Sequence, residues 1–421
     1  MTAGSEPGIR RFIGGAQTVD MRRLAGTVLV SLLVLGTTTL GLLVSPAAAI
    51  DMNAVFPDLD LPGFKLTPFL TERAEYESNV FQAPSHAKDD VIIKTIPGLV
   101  LELPLGPHRI DLGMRAEFLN FVDMSKQDAT HFFLLGKAAL NFPGGLSAAL
   151  KEDFAYTTDP PGTELTGRIR STTNVLAPSV EYALARRFAI GTDYNWTHVN
   201  FDLASANGLD RNEHTWGLTG FWKVAPKTDL LANLSYGFKE FDHQSQRDVD
   251  RFVGVVGVRG EITPRLTSTF RVGYEDREPR DSDRTPYRGL VASGDWVWTP
   301  TNRTRISLVT ERFVAESLFA TNFWYLANMV TLSAEQRFTP KLTASARLFG
   351  GTNEYPDKAS KVNGRQAWRD DEIAGIGLGI DYQIQRWLGI GADYTHTRRN
   401  SNFDNFDFKN DIVGAKVTLS F

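Results

Sequence analysis

Apolar and polar residues alternate along most of this chain. In its last stretch Val413, Ala415, Val417, Leu419 and Phe421 interleave with Gly414, Lys416, Thr418 and Ser420. A period of two sends the two sets to opposite faces of a β-strand. The same two-sidedness recurs upstream, where Ile110, Leu112, Met114, Ala116 and Phe118 oppose Asp111, Gly113, Arg115 and Glu117. Apolar faces also run through Leu230, Ala232, Leu234, Tyr236 and Phe238, through Leu266, Phe270, Val272 and Tyr274, and through Leu342, Ala344, Ala346 and Leu348.

Turn signals separate these strands at intervals of about 35 to 45 residues. They fall at 104–107, Pro143-Gly144-Gly145, Arg186-Arg187, Pro226-Lys227, Pro264-Arg265, Pro300-Thr301, Pro340-Lys341 and Arg386-Trp387. Proline cannot donate to a ladder and pre-sets φ, so it belongs between strands. Longer polar segments lie opposite these turns, at 82–90, 157–167, 201–211, 240–250, 276–287, 354–369 and 398–410. Aromatic residues sit late in strands that leave the short turns: Phe154, Tyr156, Tyr194, Trp196, Tyr236, Phe238, Tyr274 and Tyr394. Core aromatics of a soluble sandwich would explain each one singly; their shared position fits the girdle of a membrane barrel. The expected fold is all-β, a transmembrane antiparallel up-and-down β-barrel. Two strands at each of eight turns plus the first and last give about 18 strands, or 16 if the segment 167–187 holds a false pair.

Composition agrees and narrows the chemistry. At 42% hydrophobic residues and a mean hydropathy of −0.20, the chain is too polar for a bundle of membrane helices, while a barrel hides its apolar face by alternation. The absence of cysteine excludes disulfides and thiolate metal sites. Seven scattered histidines show no ligand spacing, so neither a metal nor a cofactor is expected. A net charge of −4 is no nucleic-acid footprint.

An export signal is expected at the start. Arg22 and Arg23 precede an apolar run from Leu24 to Val44, and Ala47 and Ala49 form a small-residue cleavage pattern. Arg10-Arg11 lies too far from that run to act as a twin-arginine signal, and Met21 is an alternative start to Met1. Removing 1–49 leaves 41 basic and 47 acidic residues. The expected organisation is 1–49 export signal with a long leader, 50–63 a short periplasmic lead, and 64–421 one barrel.

Charged residues of the polar strand faces are expected to line the lumen, because charges facing lipid near mid-membrane cost about 2–4 kcal/mol. The candidates are Arg115, Glu117, Arg271, Glu275, Arg303, Arg305, Glu311 and Arg347, with Arg303 and Arg305 forming a basic track. Cross-strand pairing that stiffens the wall is their simpler role; a field that orders a polar solute is the sharper one. Two loop clusters, 276–284 and 402–408, are charge-rich and read first as solvated loops. His198, His243 and His396 lie near Asp202, Asp242 and Asp393 in sequence, but proximity is no catalytic geometry, and no catalytic residue or enzyme is expected.

Two resemblances sharpen this reading. A terminal Phe421 closing an alternating strand resembles the signal by which Gram-negative cells recognise outer-membrane proteins for insertion. Arg73-Ala74-Glu75-Tyr76-Glu77-Ser78-Asn79-Val80-Phe81 followed by Thr95-Ile96-Pro97-Gly98-Leu99 resembles the start of the second putative β-barrel porin family, over residues 64–421. That resemblance implies an outer-membrane barrel, often associated with exopolysaccharide production, and supplies no catalytic residues. The implied partners are outer-membrane lipid and lipopolysaccharide, the barrel-assembly machinery and polysaccharide export components. The expected function is a polar channel for a hydrophilic solute or polysaccharide-related export. The alternative is a docking barrel with a plugged lumen and polymer-binding loops.

Overall fold

The computed structural model describes residues 63–159, 168–204, 206–319 and 321–421. The export signal with its cleavage positions Ala47 and Ala49, and nearly all of the 50–63 lead, lie outside the described residues. Eighteen antiparallel strands follow one another in a ring. The first six are β1 (Lys65–Glu77), β2 (Asp90–Leu105), β3 (His108–Phe121), β4 (Ala129–Asn141), β5 (Leu146–Thr157) and β6 (Ser171–Ala185). Then come β7 (Phe188–Phe201), β8 (Arg211–Ala225), β9 (Thr228–Phe241), β10 (Val249–Thr263), β11 (Leu266–Pro279) and β12 (Tyr287–Thr301). The last six are β13 (Thr304–Glu316), β14 (Trp324–Arg337), β15 (Leu342–Ser360), β16 (Gln366–Gln385), β17 (Leu388–Ser401) and β18 (Phe408–Ser420). β18 pairs with β1 from Phe69↔Ser420 to Glu77↔Ile412, which closes the barrel and pairs the first strand with the last. The chain end is tied in as well: the Phe421 amide donates to the Pro68 carbonyl at 3.1 Å.

Alternation fixes the faces. Leu234, Val256 and Leu290 are 57%, 59% and 61% exposed on the outside, although each is large and apolar. Such a band is stable only against lipid. All eight aromatics expected in the girdle share that outer face, and near the loop end Tyr194, His214, Trp216 and Phe238 form a continuous patch with centroids 4.9–6.1 Å apart. Glu72 is an outward exception, its carboxylate accepting from the Thr95 hydroxyl at 3.0 Å.

Tight turns gather at one end. Gly144 and Gly145 both take φ of +84°, a conformation other residues adopt only under strain, which is why the β4–β5 turn uses them. At the opposite end several loops repeat one device. A short 3-10 turn is followed by an aspartate whose Oδ1 accepts an amide from the end of the preceding strand: Asp128 from Phe121 (2.8 Å), Asp210 from Phe201 (2.7 Å), Asp248 from Phe241 (2.8 Å) and Asp407 from Ser401 (2.6 Å). Burial raises the Asp210 carboxyl above its ordinary value, against the opposing pull of the Phe201 amide.

Two expectations are corrected. The turn expected at Pro300-Thr301 lies at Asn302-Arg303, because β12 runs on through a register irregularity between Trp298 and Thr301 that accommodates the proline. The segment 354–369 is mostly strand: β15 and β16 pair out to Ser360↔Gln366, and only a tight turn separates them.

Candidate functional site: the lumen and its mouth

The inner face carries ion pairs arranged in ladders. Arg73 on β1 grips Asp393 on β17 with two bonds of 2.5 and 2.8 Å, and its Nε donates to Glu75, which also receives Lys94 at 2.7 Å. Arg259 on β10 reaches Glu181 on β6 with two bonds of 2.9 and 2.8 Å, passing over the Phe221 ring at 3.7 Å and holding Asp229. The first pair spans two strands and the second spans four, so the second braces the lumen as well as lining it.

Among the residues expected on the lumen, Arg115 donates through Nε to Glu117 at 2.7 Å and stacks over Phe133 at 4.1 Å. Arg271 and Glu275 alternate onto the inner face of β11, Arg305 and Glu311 onto β13, and Arg347 onto β15, over the Phe349 ring. Arg271 and Arg305 make no ion pair among the described residues. Arg303 is a correction. It stands exposed in the tight turn between β12 and β13, because that turn lies two residues later than the proline suggested, and so no Arg303–Arg305 track exists on the wall.

Sequence reasoning missed the most consequential element. The β13–β14 hairpin pairs from Thr304↔Gln336 to Glu316↔Trp324. Its bond to β12 stops at Ala292↔Arg312, and its bond to β15 stops at Leu326↔Glu354. Past those points it leaves the wall and folds inward. Both of its faces are then covered: Val314, Trp324 and Leu326 pack on Tyr287 and Val291, while Ala315, Tyr325 and Ala327 pack on Tyr355.

Polar contacts fasten the tip across the mouth. Glu316 sits between Lys239 of β9, at 2.8 Å, and Arg277 of β11, and Lys239 also binds Glu213 at 2.8 Å. Arg247 from the β9–β10 loop donates to the Ser317 carbonyl at 2.8 Å. Leu318 packs into a cluster of Val199, Phe201, Ala206 and Leu209 at the β7–β8 loop. On the other side Phe319 meets Phe406 edge-on at 5.1 Å, and Arg369 lies 3.5 Å over Phe406 and 4.5 Å over Tyr355. The mouth is thus a collar of arginine and aromatic rings. A loss of alternation in Val314-Ala315 and Trp324-Tyr325-Leu326-Ala327 was the signal available in the sequence.

The two charged loops resolve differently. In 276–284, Arg280 binds Asp250 at 2.9 Å, which raises its basicity further, while Arg288 binds Asp276 and Glu278. In 402–408, Phe406 belongs to the collar. The histidines take other partners than their sequence neighbours: His198 bonds Asn212, His243 lies 3.6 Å from Asp210, and His396 bonds Asp411.

The family described as Putative beta-barrel porin 2 matches residues 61–421. No curated protein matched by sequence. Similar solved structures include OccAB3 of Acinetobacter baumannii, at 12% identity over 85% of this chain and 99% of that one, with a TM-score of 0.44. OpdK of Pseudomonas aeruginosa with vanillate is similar at 13% identity, 85% and 99% coverage and a TM-score of 0.44. OccK2 of the same organism in complex with glucuronate has 11% identity, 86% and 99% coverage and a TM-score of 0.45.

Proposed function

The chain belongs to the Putative beta-barrel porin 2 family, and we propose that it passes a hydrophilic solute of the polysaccharide class across the outer membrane after signal-directed export, with the β13–β14 hairpin narrowing the extracellular mouth. The observation that carries this is the collar. Tyr355, Phe319 and Phe406 gather flat rings around Arg369, whose guanidinium is forked onto Asp371, and such rings suit the stacking of sugar faces. Below it, Arg271 and Arg305 would offer cationic steps for an acidic sugar.

A second reading has its own support. Because the hairpin is fastened on both sides of the mouth, the barrel would instead serve as a plugged platform whose loops bind a surface polymer. Single-channel conductance separates the two. The wild-type barrel is compared with one in which residues 313–327 are replaced by a two-residue Asn-Gly turn, which keeps the wall pairs of Arg312 with Ala292 and of Asn328 with Thr352 and gives up only Leu326↔Glu354 and Ala327↔Asn353. Conductance in the wild type, raised several-fold by the replacement and reduced by added oligosaccharide only when the collar is present, is the expected result. A wild type that never conducts, beside a replaced barrel that does, would establish the plug.

A further inference from the structure

Where the β13–β14 hairpin turns inward, it leaves a notch in the wall. β12 remains bonded to β11 up to Arg277↔Tyr287, yet beyond Ala292 no strand among the described residues pairs with its other edge. An open edge facing lipid must be satisfied some other way. Here side chains do it: Arg312 Nε donates to the Leu290 carbonyl at 3.0 Å, and the Tyr287 hydroxyl donates to the same oxygen at 2.8 Å.

The notch opens into a cavity of about 750 Å³ whose lining includes Ala292, Arg312, Val330, Leu332, Leu348 and Ala374. By alternation these six side chains lie on the outer face, and all but Arg312 are apolar. Behind the notch lies the apolar cluster of Tyr287, Val291, Val314, Trp324 and Leu326. Arg312 is the one cation among the described residues that line the cavity. Its bonded partners are the Leu290 carbonyl and the Asn328 amide oxygen at 2.6 Å, both neutral, and it makes no ion pair among the described residues. Arg288, on the same face nearer the rim, is by contrast neutralised by Asp276 and Glu278.

We propose that this notch is a binding site for an anionic amphiphile of the surrounding leaflet, with its acyl chain along Val330, Leu332 and Leu348 and its phosphate on Arg312. A guanidinium forks onto phosphate oxygens, and an unpaired one beside an apolar trough selects a headgroup and a chain together. The site stands independently of what the lumen carries. Its floor is the docked hairpin, so an occupied notch also supports the hairpin from outside.

The test uses the full refolded barrel in neutral detergent, with native mass spectrometry counting bound lysophosphatidic acid and lysophosphatidylcholine of one chain length. The expected wild-type preference for the anionic lipid is about ten-fold, equivalent to one charge-assisted contact. Arg312→Gln is expected to abolish the preference, Arg312→Lys to keep part of it, and Ala292→Leu, which fills the trough, to weaken both lipids alike. Arg288→Gln is expected to change nothing. Equal binding of the two lipids by the wild type, or an equal loss in Arg288→Gln, would overturn the proposal in favour of adsorption to rim charge. Should Arg312→Gln not refold, undiminished binding by Ala292→Leu would overturn it too.

Discussion

The hairpins β9–β10 and β13–β14 are built alike and end differently. Each leaves a tight turn, each alternates, and each runs for about the width of a membrane. β9–β10 stays in the wall to its tip, where Lys239 and Val249 still pair and the loop closes on Asp248. β13–β14 leaves the wall after Arg312. The difference lies in what the last residues offer to each side. Facing outward near its top, β9 presents Tyr236 and Phe238 to the interface, and facing inward it presents Lys239 to the lumen. The top of β13–β14 presents apolar groups on both faces, which neither a polar lumen nor a single lipid boundary can satisfy. Folding inward between two apolar surfaces does so.

Shortening both hairpins to their last common wall pair should separate them most clearly. The β13–β14 version is expected to raise conductance several-fold, whereas the same surgery on β9–β10, kept above Lys239↔Val249, should raise it less, since its loop contributes only the Arg247 bond to Ser317.

Next in size is Glu316→Gln. Removing one partner from a buried ion pair costs about 3–5 kcal/mol, because Arg277 loses its carboxylate while Lys239 keeps only Glu213. Hydrogen exchange should then report fast amides across the inward part of β13–β14, with β9–β10 still protected. Uniform protection in both hairpins would show that the ionic anchor contributes little beside the apolar faces.

A smaller effect is expected lower in the lumen. Arg271→Ala combined with Arg305→Ala should leave conductance nearly unchanged and shift reversal potentials toward cations, as removal of two unpaired cations requires. Asp248→Ala should do least, releasing one amide bond and costing about 1 kcal/mol confined to the β9–β10 loop, visible as faster exchange of the Phe241 amide.

Much of this was legible in the residues. The faces of β3, β11 and β18 follow directly from alternation, and the strand count from turn spacing, since a period of two needs only local information. The Arg303 position was not legible: a proline marks a strand end only to within a residue or two, and one register irregularity moves the side chain from wall to rim. The repeated loop aspartates went unread, because the spacing of Phe121 to Asp128 and of Phe241 to Asp248 carries no signal until the fold brings each carboxylate to its strand end.

By itself, then, the sequence determined that this chain is a closed two-faced wall with an apolar exterior and a charged interior, because side-chain alternation and lipid leave no other arrangement. Tertiary structure alone decided which charges meet. Arg259 with Glu181, Arg73 with Asp393 and Glu316 with Arg277 join residues far apart in the chain. It also decided that one hairpin should leave the wall, since that choice depends on the surfaces of Tyr287, Val291 and Tyr355 waiting inside.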